Sequence, residues 1–375
     1  MLGMRRLFPG TSLHLQQQLL LLAVCCYSGG VHATVQESTA TSIQMVNRRG
    51  PFLGVVVCNA FEMEPLLRSP SLSPAKGLPL YLDVAGKRFR FGIIGEQKVV
   101  IVLTGLAMLN SGVTTQFLLA LFDVKGIVHF GIAGNANPNR QIGDVAVPRY
   151  WAHTGLWNWQ LSKKINVHIT SFLPQRYGDG PDKELALESN GDYTRKLGNL
   201  NFTEYSVDKN ARRSDGNLLN SVWHQPEEVF PANGTPEVRS QEFWVPSMAT
   251  TGYYNLSRKL EGLKLEGCVL NNGTTCLPRW PVVAMVERGC RATVFVDNAA
   301  YRKFLRSRFG VTAIDMETVA MALVALQQGA PFIAIRALSD LAGGGSAESN
   351  ESGVFEPLAS QNAVTVAVEF ISLLN

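Results

Sequence analysis

The stretch GIVHFGIAGNANPNRQIGDVAVP, residues 126–148, decides the fold. It opens on an apolar run, passes through closely spaced glycines and asparagines, and ends in valines. A short apolar run bounded by turn residues reads as a buried strand. In sheets covered by helices, ligands sit where the carboxyl ends of strands open into loops. Residues 131–135 are such a place. Toward the amino terminus, VVIVLTG (99–105) repeats the strand pattern, and SGVTTQFLLALFDV (111–124) has helical apolar spacing. Further out lie the buried strand LGVVVCN (53–59), the element opening FEMEPLL (61–67), and YLDVAGKRFRFGII (81–94), two arms about a glycine turn. This rhythm is that of an α/β protein.

Toward the carboxyl terminus, regularity pauses at about 151–243, a polar stretch rich in Asn, Gly and Trp that reads as an excursion from the core. It resumes with a helix at 247–262, strands PVVAMVE (281–287) and RATVFVD (291–297), and a helix at 298–309. VTAIDMETVAMALVALQQ (311–328) is a short strand feeding a helix, PFIAIRALSD (331–340) a strand ending in polar residues, and 357–373 a terminal helix. The domain expectation is residues 1–33 as a signal peptide, 34–50 as a loose polar leader, and 51–375 as one domain.

The leader expectation rests on Arg5 and Arg6, the apolar LLLLAVCC and a V-H-A site at 31–33, too short a run to span roughly 30 Å of hydrocarbon. It implies the secretory pathway, ending outside the cell in the apoplast or in a vacuole, with no membrane attachment after cleavage. The sequons at Asn201, Asn233, Asn255, Asn272 and Asn350 then become glycosylation candidates. Cys268 and Cys276 flank the polar turn LNNGTT and are a candidate disulfide, whereas Cys58 ends an apolar strand and reads as a buried thiol. The cysteines show neither a CxxC pair nor histidines spaced for zinc, so no metal site is expected. The formal charge of +4 falls to about +2 once Arg5 and Arg6 leave. RKFLRSR (302–308) has the spacing of a solvent-facing helix, so no nucleic-acid partner is expected.

Carboxylates beside apolar sequence are costly to bury without partners. Glu62 and Glu64 follow one buried strand, Glu317 opens an apolar helix, and Asp340 ends a strand just before LAGGG. Beside these, GIAGNANPNRQIGDVAVP (131–148), AIDMETVA (313–320) and IRALSDLAGG (335–344) resemble, in order and separation, the three signature regions of the nucleoside phosphorylase and nucleosidase superfamily. The leader, FEMEP and GIAGNANP are similar to its exported plant branch, which includes bark and vegetative storage proteins and a cytokinin riboside phosphorylase. The resemblance covers most of 50–373 apart from the Trp-rich middle. It implies a three-layer αβα fold with a central mixed twisted sheet, a purine nucleoside as ligand, no organic cofactor, and a homo-oligomer, with a dimer preferred.

The same resemblance implies roles. Asp340 protonates the departing purine, Ser339 positions that acid, Glu317 holds the ribose 2′ and 3′ hydroxyls, Met316 packs under the sugar, and Phe295 stacks on the base. Glu62, or Glu64 if the alignment slips, activates water in family nucleosidases. Cleaving a ribosyl C–N bond builds positive charge on the sugar and negative charge on the base, and this set of residues addresses both. For the attacking group, family phosphorylases hold phosphate with an arginine and a hydroxyl where this chain has His129 and Ile132. The expectation is phosphorolysis of adenosine-type or cytokinin ribosides, with inorganic phosphate as co-substrate on an anion site of His129, Gly131 and Ile132. Hydrolysis by Glu62-activated water and a storage or binding protein with little catalysis are the alternatives.

Overall fold

The computed structural model describes residues 37–155, 248–270, 274–344 and 351–374, with short strands between 157 and 244. Contacts divide the chain into residues 1–41 and 42–375. The first unit is described only at 37–41, which are helical; the architecture below is that of the second. The signal peptide, most of the 151–243 excursion and the sequons at Asn201, Asn233, Asn272 and Asn350 lie outside the described residues.

Strand β1 (Phe52–Val57) is buried along its whole length. It lies between two parallel neighbours, β5 (Gln97–Leu103) and β6 (Val124–Asn135), as expected of an apolar run covered on both faces. On one side β5 pairs antiparallel with β4 (Lys87–Ile94), which carries β2 (Leu72–Pro74) and β3 (Tyr81–Val84). On the other, β17 (Phe332–Leu341) runs parallel to β6 and then meets β7 (Val145–His153) antiparallel. β15 (Val283–Arg291) runs parallel to β7, and β16 (Ala313–Asp315) joins β15 to the far end of β6. The sheet is therefore mixed. Within the excursion, β8 (Trp157–Trp159) pairs with β9 (Val222–His224), β10 (Glu227–Val229) with β11 (Glu237–Arg239), and β12 (Phe243–Trp244) with β7. β13 (Cys268–Leu270) and β14 (Thr274–Cys276) form a hairpin, closed by a Cys268–Cys276 disulfide.

The period-2 alternation of the strands sorts the core into two layers. Val55, Val57, Phe130 and Ile335 pack with Met63 and Leu66 of α2 (Ala60–Leu67), Tyr254 of α4 (Met248–Ser257) and Phe370 of α7 (Glu351–Ser372). Val56, Val102 and Ala334 pack on the opposite face with Leu118 of α3 (Ala107–Leu121) and Val319 and Met321 of α6 (Thr318–Gln328). The result is the three-layer αβα architecture. A further cluster forms around Tyr301, Phe304 and Phe309 of α5 (Ala299–Phe309).

Within the expected loose leader 34–50, the described residues hold α1 (Glu37–Asn47), whose Ile43 and Val46, three residues apart, give it a buried face. Two expectations are corrected. PVVAMVE and RATVFVD are not two strands. One strand, β15, pairs with β7 from Val283 to Arg291, and residues 292–298 follow without sheet partners among the described residues. The terminal helix begins at Glu351, six residues before the expected 357. Among the described residues no helix is long and apolar enough to cross a membrane.

Candidate active site

Helix caps deliver the carboxylates to the ends of β1 and β16. Asn59 caps α2 by accepting a hydrogen bond from the Glu62 amide at 2.9 Å, which puts Glu62 in the first turn. Asp315, the last residue of β16, accepts the amides of Glu317 and Thr318, both at 3.2 Å, just ahead of α6. Glu317 is held by two amides, Ala107 at 2.8 Å and Met316 at 3.2 Å.

Glu62, Glu317, Ser339 and Asp340 are all buried, and Met316 is partly buried. Ser339 donates its hydroxyl to Asp340 Oδ1 at 2.7 Å. The register of β17 on β6 slips between Leu338 and Asp340. Such a bulge re-aims the residue that follows it, here bringing Asp340 Oδ2 within 3.6 Å of where a Gly134 β-carbon would stand. Glu64, by contrast, is exposed and ion-paired with Arg68. Of the two glutamates, Glu62 is the one that joins the buried set.

At the centre stands Arg336, which sequence reasoning did not assign. It is fully buried. It pairs with Asp315 at 2.7 Å, donates to Thr318 Oγ1 at 2.9 Å, and donates to His129 Nε2. His129 donates its own Nδ1–H to the Val56 carbonyl oxygen at 2.8 Å. Burial, and then the adjacent guanidinium, push its pKa well below the ordinary imidazole value. His129 is thus a neutral acceptor for an arginine and has no charge to offer an anion. Ile132 donates its amide to Glu62 Oε1 at 3.1 Å. Of the expected anion site on His129, Gly131 and Ile132, the His129 ring and the Ile132 amide are thus engaged inside the protein. The sequence did carry a signal for Arg336, namely a lone charge inside the apolar strand FIAIRALS.

Gly131 serves a different end. A β-carbon there would fall on Arg336 Nη1 and 2.8 Å from Glu62 Oε2. Those two buried atoms find no hydrogen-bond partner among the described residues. Burial is the main cause that raises the Glu62 pKa to about 7, and Arg336 and the Ile132 amide offset it only in part. Burial, followed by Asp315, also raises that of Glu317. The arrangement holds a carboxylate that titrates near neutrality, one oxygen fixed and the other facing a guanidinium across a glycine. Such a group can accept a proton from a small polar molecule held there.

Phe295 lies in the irregular segment after β15 and is 62% exposed, so the structure does not bring it against the buried set. Cys58 is a buried thiol, and Asn255 is exposed on α4. Among the described residues no group of three His, Cys, Asp or Glu side chains converges as a metal site.

Comparison with known proteins places this geometry in context. The chain matches the model of the Phosphorylase superfamily over residues 53–178 and 274–372. It is 30% identical over 293 residues to bark storage protein A of Populus deltoides, covering 78% of this chain and 79% of that one. Two solved structures share the fold. Futalosine hydrolase of Helicobacter pylori has a TM-score of 0.52 at 14% identity, covering 86% of this chain and 98% of that chain. The 5′-methylthioadenosine/S-adenosylhomocysteine nucleosidase of Colwellia psychrerythraea, solved in complex with adenine, has a TM-score of 0.52 at 18% identity, covering 86% and 95%.

Proposed function

This chain belongs to the Phosphorylase superfamily, and from that membership we propose that it hydrolyses the N-glycosidic bond of a purine nucleoside. The observation that carries the reading is the pairing of Glu62 and Arg336 across Gly131. Glu62 Oε2 and Arg336 Nη1 are a buried acceptor and a buried donor side by side, which suits one water molecule. A carboxylate with a pKa of about 7 can take that water's proton near neutral pH.

The water oxygen bonds to C1′ as the C–N bond breaks. Glu62 receives the water's proton, and Asp340, steadied by Ser339, gives its proton to the leaving base. Glu317 accepts the 2′ and 3′ hydroxyls and balances positive charge on the sugar, with Met316 beneath the ring. Free base and ribose result. Two features support water over phosphate: the Ile132 amide is occupied by Glu62, and a carboxylate at this position repels a phosphate dianion. The names of several relatives, futalosine hydrolase and methylthioadenosine nucleosidase among them, point the same way.

The test gives purified mature chain adenosine, inosine and an N6-alkylated adenosine, each with and without phosphate. Base and ribose are expected without phosphate. Strict dependence on phosphate, with ribose 1-phosphate as product, would overturn hydrolysis. No base from any substrate would favour the storage reading, which the bark storage relatives suggest. The leader and the Cys268–Cys276 bond support secretion. Recovery of the protein from the cytosol with its leader intact would defeat that part.

A further inference from the structure

Arg291 ends β15, in register with His153 at the end of β7 and Asp315 at the end of β16. The three side chains therefore stand abreast on one face of the sheet. Arg291 is only 5% exposed. Its Nε donates to the Met316 carbonyl oxygen at 3.3 Å, which ties it to the segment that carries Glu317. The adjacent carboxylate of Asp315 is already taken by Arg336 and Thr318. Neither terminal nitrogen of Arg291 makes a hydrogen bond or ion pair among the described residues. A β-carbon on Gly155 would meet Arg291 Nη1, would lie 2.7 Å from Thr293 Oγ1 and would lie 3.4 Å from His153 Nε2. Glycine at this position thus leaves a space edged by a guanidinium, a hydroxyl and an imidazole. A buried guanidinium is costly unless it meets an acceptor, and its planar fork suits phosphate or carboxylate.

On the hydrolytic reading above, Asp340 addresses the base, Glu62 addresses C1′, and Glu317 takes the 2′ and 3′ hydroxyls. The substituent on C5′ is left to be recognised. We propose that Arg291, with Thr293, forms a subsite for an acidic group carried on C5′. The favoured substrate is then a nucleoside 5′-phosphate or 5′-carboxylate rather than a plain nucleoside. This inference rests on the proposed function, and its test separates the two.

The test measures kcat/KM for adenosine and adenosine 5′-monophosphate in phosphate-free buffer, using the native chain, Arg291→Gln and Arg291→Lys. The native chain is expected to prefer the monophosphate, and Arg291→Gln to shrink that preference about 10- to 100-fold, the range for a charged hydrogen bond. Arg291→Lys should fall between. Equal rates on the two compounds in the native chain would overturn the subsite. So would equal losses on both in Arg291→Gln, which would make Arg291 a distant counter-charge to Glu317. Stimulation of adenosine cleavage by inorganic phosphate that disappears in Arg291→Gln would assign the anion to the attacking group and also overturn it. If neither compound releases base, the proposed function has failed, and calorimetric binding decides the subsite alone. Tighter binding of the monophosphate that Arg291→Gln abolishes supports it, and equal binding refutes it.

Discussion

Replacing Glu62 by Gln separates the charge of this side chain from its shape. The carbonyl oxygen of glutamine can still accept the Ile132 amide, while the ionisable oxygen facing Arg336 is lost. Burial lifts the Glu62 pKa from 4.5 to about 7. Between those values the folded chain keeps a proton that the unfolded chain has released. The contribution of this group to stability is therefore complete below pH 4.5, is lost as pH rises toward 7, and is flat above. At about 1.4 kcal/mol per pH unit, the loss is about 3 kcal/mol.

Glutamine does not titrate, so Glu62→Gln should gain about 3 kcal/mol on the native chain between pH 4 and pH 8. Urea unfolding of both proteins at several pH values measures this, and titrating groups that do not interact with Glu62 cancel in the difference. A difference that is flat with pH, or that moves in the native chain's favour as pH rises, would refute a raised Glu62. The same variant should lose about 10²–10⁴-fold in phosphate-free turnover. In the native chain, kcat/KM should climb through pH 7 as Glu62 deprotonates. A variant stabilised at pH 8 yet inactive would bind the two observations to one proton.

Gly131→Ala places a methyl group on Arg336 Nη1 and beside Glu62 Oε2. It should cost about 1–3 kcal/mol and abolish turnover, and native stability with native turnover would show that the glycine is not needed for this approach. Asp340→Asn should lower turnover about 10²–10⁴-fold on adenosine with little loss of affinity, and should be rescued by a nucleoside whose leaving group needs no proton. Unchanged turnover between pH 5 and 9 would remove Asp340 from the role of acid.

The core was legible because β1, β6 and β17 are apolar runs that end in turn or polar residues, and periodicity reports that directly. The carboxylates of the candidate site stood out in the sequence, because each follows a strand at a recognisable motif. Two parts were not legible. TVFVD has strand-like alternation, but β15 loses its partners at Arg291, where β7 has reached His153 and β16 has reached Asp315. Alternation describes a chain's own pattern and says nothing about whether a neighbour is there to pair. Arg336 was hidden for a related reason. Its partners Asp315, Thr318 and His129 come from β16, α6 and β6, and no sequence spacing relates them.

That dispersed set explains how one cation can serve two carboxylates unequally. Asp315 meets Arg336 at 2.7 Å with both side chains buried and accepts two amides besides. For Glu62, Arg336 offsets burial without reversing it. Asp315 thus shares with Glu62 the guanidinium that partly offsets the burial of Glu62. It stands at the end of β16, just before α6, the helix whose first residue, Thr318, also holds Arg336 in place.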